Sequence, residues 1–166
     1  MSHATQGIDP TRVDASAQHP LGIVVDDPRG GIYVGNKIKY VTATASGVTV
    51  GRAVQMDITA TAANRRYSVI PTAATDLGSI VHGLAHVAIP SGSFGWITVE
   101  GLVENAVVPD ALAVGTPMNG GAAGALVDAT GASTETAALA TYLAAGKPVI
   151  LLIDTGTALG TVWIGG

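Results

Sequence analysis

Phe94-Gly95-Trp96-Ile97-Thr98-Val99-Glu100-Gly101-Leu102 alternates its side chains with a period of two, setting Trp96, Thr98 and Glu100 on one face and Ile97 and Val99 on the other. Successive Cβ atoms point to opposite faces only along a strand, so the stretch predicts a β-strand. Just upstream, Pro90-Ser91-Gly92-Ser93 reads as a turn and Ile80 to Ile89 as the strand before it. Further toward the N-terminus, Ile38 to Thr44 and Val48 to Asp57 are rich in β-branched residues and are separated by Ala45-Ser46-Gly47, which predicts a hairpin. Gly22 to Asp26 and Ile32 to Val34 read as two more strands around the turn Asp27-Pro28-Arg29-Gly30-Gly31. Tyr67 to Ile70 reads as a short strand between loops at Thr59 to Asn64 and Pro71 to Gly78. On the C-terminal side, Val103 to Val108, Leu112 to Met118, Ala125 to Asp128, Val149 to Ile153 and Leu159 to Ile164 supply further short strands. One helix is predicted, over Thr134 to Ala145, with Ser133 as its cap, Glu135 in its first turn, Gly146 at its end and Pro148 barring continuation.

Composition supports the same architecture. The chain has 166 residues, 48% hydrophobic and only 12% charged, with 22 glycines and 8 prolines spread along it. That is one domain's length, with turns at the spacing many short strands require. The expected fold is mainly β: a compact β-sandwich or barrel of short strands, with one short helix near the C-terminus and an extended N-terminal arm. The arm is residues 1–20, where polar residues surround isolated Ile8 and Val13 without any periodicity and no core anchorage is expected; residues 21–166 form a single β-rich domain. A net charge of −4 leaves no basic excess to neutralise phosphates, so nucleic acid is not an expected partner. The absence of cysteine excludes disulfides, thiolate nucleophiles and cysteine-type zinc sites. No apolar run approaches the ~18 residues of a membrane helix and the start of the chain lacks a signal-peptide apolar core, so no membrane is expected.

Several motifs invite a chemical reading. Leu151-Leu152-Ile153-Asp154-Thr155-Gly156 resembles the loop of aspartic proteases, in which two carboxylates share a proton and activate water. A homodimer would have to bring a second Asp154, and only ten residues follow Gly156; a strand-joining turn accounts for the same residues. His82 and His86 stand four apart, but on a strand that spacing separates them by about 13 Å, too far for one ion. Gly146-Lys147-Pro148 lacks the residues of a P-loop, and Gly120-Gly121-Ala122-Ala123-Gly124 lacks a dinucleotide-binding spacing. Ser91 and Ser93 belong to a turn without a nucleophile elbow, Asp26 and Asp27 to an Asp-Asp-Pro turn, and Arg65-Arg66 is too small a basic patch for nucleic acid. No catalytic residue, cofactor or metal site is expected.

Gly92-Ser93-Phe94-Gly95-Trp96-Ile97-Thr98-Val99-Glu100-Gly101 is followed by the Ala/Val-rich stretch Ala106 to Val114, by Gly115-Thr116-Pro117-Met118, by the Gly/Ala turn Gly120 to Ala125, and by Ala-Ala-Gly-Lys-Pro-Val-Ile-Leu-Leu at residues 144–152. In this succession the chain resembles the head decoration, or capsid-cement, proteins of tailed bacteriophages, best over residues 80–153. The resemblance implies a non-enzymatic virion structural protein that binds the outside of the capsid and stabilises it. Its implied partners are the major capsid protein and itself as a homotrimer, and its implied location is the capsid exterior after assembly in the host cytoplasm. The N-terminal arm then supplies capsid-interaction candidates: Ile8 and Val13 as its aliphatic anchors, and Pro20 where strand-like alternation begins. Two other classes stand beside this reading: a virion fibre or spike module binding a host surface glycan, and an aspartic-protease-like homodimer using Asp154.

Overall fold

The computed structural model describes residues 7–44, 46–72, 81–109, 112–128, 150–154 and 159–165. Its strands are β1 (Val24–Asp26), β2 (Lys37–Ala43), β3 (Ala53–Met56), β4 (Ser68–Pro71), β5 (Gly83–Ala85), β6 (Phe94–Val107), β7 (Pro117–Gly120), β8 (Leu126–Asp128), β9 (Ile150–Asp154) and β10 (Leu159–Ile164). The chain is mainly β, as its alternation predicts; the helix expected over Thr134 to Ala145 lies outside the described residues.

Five strands close a barrel in the order β2, β4, β3, β5, β6, with β6 returning to β2. Only the β2–β4 pair is parallel. One edge of β2 is taken by β6 along nearly its whole length, while the other is shared by β1 at Lys37 to Lys39 and by β4 at Thr42 and Ala43. The hairpin expected between Ile38–Thr44 and Val48–Asp57 is therefore not formed, because β4 stands between β2 and β3. Alternation fixes which face of a strand is buried, whereas the choice of partner is made by segments far away in sequence. Val48 instead bridges Ile89, and a turn at Thr49 to Arg52 delays the start of β3.

Ile32 to Val34 also departs from its expected strand. Gly31–Tyr33 forms a single turn of 3-10 helix, with Tyr33 N donating to Gly30 O and Val34 N to Gly31 O. The Tyr33 ring is held from both sides: the Arg29 guanidinium lies 3.9 Å from its centroid, and its hydroxyl donates to Glu104 Oε2 at 3.0 Å. Ile32 and Val34 are left facing outward.

The longest strand, β6, joins what the sequence divides into two. Its first half lies in the barrel between β2 and β5, and its second half pairs with β10 in a further sheet ordered β6, β10, β9, β7, β8. The strand changes sheets at Gly101, whose φ of +108° belongs to the region that side chains avoid. There Asn36 takes the place of a strand: Leu102 N donates to its Oδ1 at 2.8 Å, and its Nδ2 donates to Leu102 O at 2.7 Å. A Cβ at residue 101 would collide with that amide.

Period-two alternation sorts the apolar residues into three cores. All five barrel strands contribute to the interior, through Val41, Ala43, Val54, Val69, Ala85 and Ile97. Val103, Ala106, Met118, Leu126, Ile150, Leu152, Val162 and Ile164 pack the second sheet against Ala53 and Leu84 on the outside of the barrel. On another outer face, Ile38, Tyr40 and Trp96 form a third cluster with Val25. At ~1.5–3 kcal/mol for each large side chain withdrawn from water, these clusters supply most of the drive to fold.

Candidate functional site

The third cluster needs a cover, because Tyr40 and Trp96, paired across β2 and β6, point away from the barrel interior. Residues 7–20 provide it. Asp9 starts this segment by accepting from both the backbone N–H and the hydroxyl of Thr11. The hydroxyl bond, with the backbone bond second, holds the Asp9 carboxyl below the usual carboxylate range. Asp14 then makes a single antiparallel bridge to Phe94, with reciprocal backbone hydrogen bonds of 2.9 and 2.8 Å. The Asp14 carboxylate is buried, accepts from the Tyr40 hydroxyl at 2.7 Å, and pairs with Arg12 Nε at 2.7 Å. Burial first, and the hydrogen bond to Asp14 second, push the Tyr40 hydroxyl up to about 12. The His19 ring packs against Tyr40 and Trp96, with centroids 5.1 and 5.2 Å apart.

His86 ties the segment to β5 and β6. Its Nε2 must donate to Pro10 O, at 2.8 Å, because a carbonyl can only accept; in the neutral ring Nδ1 then accepts from the Thr98 hydroxyl at 3.1 Å. Burial, followed by the nearby Arg29 charge, lowers His86 to about 4, against a smaller raising effect of the Pro10 bond and Asp27.

Of the candidate interaction residues, Ile8 packs against the Tyr40–Trp96 cluster, Val13 is half-buried beside Asp14, and Pro20 is exposed where the segment turns toward β1. The expectation that this segment finds no anchorage on the body is corrected: Ile8, Asp14 and Pro10 O each have a partner there. Sequence reading missed Asp14, His19, Tyr40 and His86 as its holders. The available signal was the placement of Tyr40 and Trp96 on the strand faces opposite Val41 and Ile97.

The remaining motifs do not converge. Asp154 ends β9, exposed and opposite Thr161, while Thr155 to Ala158 lie outside the described residues. His82 accepts from Lys39 Nζ at 2.7 Å, away from the contacts of His86. Burial, then the Lys39 charge, brings His82 down to about 4, and burial also lowers Lys39. Asp27 accepts from Arg29 N and pairs with the Arg29 guanidinium, which is the expected turn with an added ion pair. Among the described residues, no three His, Cys, Asp or Glu side chains are grouped to hold a metal ion. Gly146-Lys147-Pro148 lies outside those residues.

Large apolar side chains are exposed at several places, Ile58 and Val114 among them, and two groups of them are close in sequence or in the sheet. Val24, Ile32 and Val34 are exposed around β1 and the 3-10 turn, with Val34 reaching 75%. On the second sheet Ile153, Leu159 and Trp163 are exposed, and Trp163 stands in a cross-strand row with Leu102 on β6, position 151 on β9 and Pro117 on β7.

No protein-family model matches the chain, and no curated protein matches it. Among solved structures, the head fiber gp8.5 N base of bacteriophage phi29 is similar in chain course, at 14% identity and a TM-score of 0.49, over 77% of this chain and 92% of that one. The likeness concerns chain course and carries no functional argument.

Proposed function

We propose that this chain is a non-enzymatic structural protein of a phage virion. It acts as a decoration or cement protein that binds the outside of the capsid, stabilises it and assembles as a homotrimer, with residues 1–20 as an arm on the 21–166 body. The observation that carries the reading is the surface: a sparsely charged chain leaves large aliphatic and aromatic side chains exposed, among them Val34 and Trp163. Exposed large apolar side chains grouped on a small protein mark sites covered by other molecules. Val34 and its neighbours can face one partner and Trp163 and its neighbours another, a neighbouring subunit or the shell. The resemblance of residues 80–153 to capsid-cement proteins supports the same reading.

The test is to incubate the purified chain with empty expanded capsids of its own phage, then sediment and image them. Saturable co-sedimentation with added density on the outer surface is expected. No co-sedimentation at micromolar chain, with the protein folded, would overturn the reading.

A further inference from the structure

We propose that Asn119 is a site of self-modification in the folded chain: the backbone nitrogen of Gly120 closes onto the Asn119 side-chain amide, ammonia leaves, and water opens the resulting ring to aspartate and isoaspartate. This goes beyond the proposed function and does not depend on it.

Four asparagines stand in the chain, and Asn119 alone precedes a glycine. A residue without a Cβ leaves its own nitrogen unshielded, and the fold asks for glycine there, since a Cβ at residue 120 would stand 2.6 Å from Thr72 Cγ2. Gly120 N also donates to Asn119 Oδ1 at 2.9 Å, so its hydrogen already points at the side-chain amide that the nitrogen must attack. Once hydroxide removes that hydrogen, the freed electron pair points the same way, and reacting groups held in contact gain rate over freely rotating ones. The pair ends β7, where the backbone leaves the ladder for the turn at Ala122–Gly124, so ring closure disturbs a strand terminus rather than a strand's middle. The other asparagines are placed differently. Both ends of the Asn36 amide are engaged by Leu102, and Asn64 and Asn105 precede Arg65 and Ala106, whose side chains crowd the attacking nitrogen.

In the first step a bond forms between Gly120 N and Asn119 Cγ, the Cγ–Nδ2 bond breaks, and the side-chain nitrogen leaves as ammonia after taking a proton from water, which returns the hydroxide. In the second step water adds to one of the two ring carbonyls. Breaking the new N–Cγ bond gives aspartate, and breaking the original peptide bond gives isoaspartate, whose chain runs through Cγ. Nothing is oxidised or reduced, and water is consumed. Asn119 stands opposite Val127 and shares the outer face of the second sheet with Pro117, the end of the row that holds Trp163. Either product sets a carboxylate on that face, one negative charge beyond the −4 of the unmodified chain.

The full-length chain is incubated at mildly alkaline pH with and without guanidinium chloride. Peptide mapping follows the amide-to-acid mass change at each asparagine, and an isoaspartate-specific methyltransferase reports the rearranged product. In the folded chain, conversion at residue 119 is expected to be at least several-fold faster than at residues 36, 64 and 105, with isoaspartate among the products and a rate no lower than in the denatured chain. Asn119→Gln, whose longer side chain needs a larger ring, should keep its amide and lose the isoaspartate signal while the fold is unchanged. An Asn119 that stays intact in the folded chain while the denatured chain converts would overturn the proposal. So would aspartate at 119 without isoaspartate, which is direct hydrolysis, or an isoaspartate signal that persists in Asn119→Gln.

Discussion

Asn36 performs, for one residue of β6, the service that a neighbouring strand performs elsewhere. Its amide satisfies both the N–H and the C=O of Leu102 at the bend, and it is itself buried. Asn36→Ala would leave both groups without that partner, and each buried unsatisfied group costs ~1–3 kcal/mol. A loss of about 2–4 kcal/mol in urea unfolding is expected; a change under about 0.5 kcal/mol would show that the bend holds itself through Gly101 alone. His82 and His86 bear on pH. Both are brought down to about 4, from an ordinary value of 6.5, chiefly by burial. The unfolded chain therefore takes up these protons before the folded one does. Stability is complete above about pH 6.5 and is lost as pH falls toward 4, by at most about 3 kcal/mol for each histidine. The groups that face them are Lys39 for His82, and Arg29 and Asp27 for His86. Asp57, held below the usual carboxylate range by the Thr44 and Thr59 hydroxyls, adds its own loss only at lower pH. Unfolding midpoints measured from pH 7.5 to 4.5 should fall, and His86→Asn, whose amide can still donate to Pro10 O, should flatten part of that slope. A wild-type midpoint constant across the range would contradict the assignment.

At the scale of elements, β6 is the member that both sheets share, since Phe94 to Glu100 serve the barrel and Gly101 to Val107 the second sheet. Damage to either core should therefore shift one common transition. Ile97→Ala, inside the barrel, and Val162→Ala, in the second sheet, empty fully buried positions. Losses of about 2–5 kcal/mol for Ile97→Ala and somewhat less for Val162→Ala are expected, with tryptophan fluorescence and far-ultraviolet dichroism remaining coincident. Two separated transitions in the Val162→Ala chain would show that the sheets fold independently. Individual strands are legible in the sequence where alternation is strong: Leu159 to Ile164, Ala125 to Asp128 and Phe94 to Leu102 fall within a residue or two of β10, β8 and the first half of β6. Connectivity was not legible. Nothing local to Ile38–Thr44 says that its second edge belongs to Val24–Asp26 and Ser68–Val69 rather than to the next strand along the chain. The union of Phe94–Leu102 with Val103–Val108 was hidden by Gly101, a residue that reads locally as a terminator. The seating of residues 7–20 was not legible for a similar reason: Ile8 and Val13 stand out as the aliphatic residues of the arm, but nothing local to them says that Ile8 packs on the body, and Asp14 acquires its role only through Tyr40, 26 residues away.

At the scale of the molecule, association should be governed by apolar area rather than by charge. Only 12% of residues are charged, and the exposed regions around Val34 and Trp163 are rich in aliphatic and aromatic groups. The ion pair Lys37–Glu100 is exposed at both ends, and such pairs contribute little and are screened by salt. If the chain is a homotrimer, light scattering at micromolar concentration should give about three times 16.5 kDa. That mass should hold as ionic strength rises, because a contact made by burial does not depend on the Debye length, and excluded salts such as sulfate should strengthen it. Trp163→Ser tests the second sheet directly. Trp163 is 41% exposed and pairs with Leu102 and position 151, so the substitution removes aromatic area from the face while leaving Val162 and Ile164 in the core. Its expected signature is a tenfold or greater rise in the concentration at which the trimer dissociates, with a monomer midpoint changed by less than about 1 kcal/mol, since surface substitutions away from a core usually move stability little. Val34→Ser, on the other exposed region, should leave the solution mass unchanged if that region faces the shell, and should weaken capsid co-sedimentation instead. A strict monomer for the unmodified chain, or a trimer dissolved by salt alone, would contradict this division of the surface.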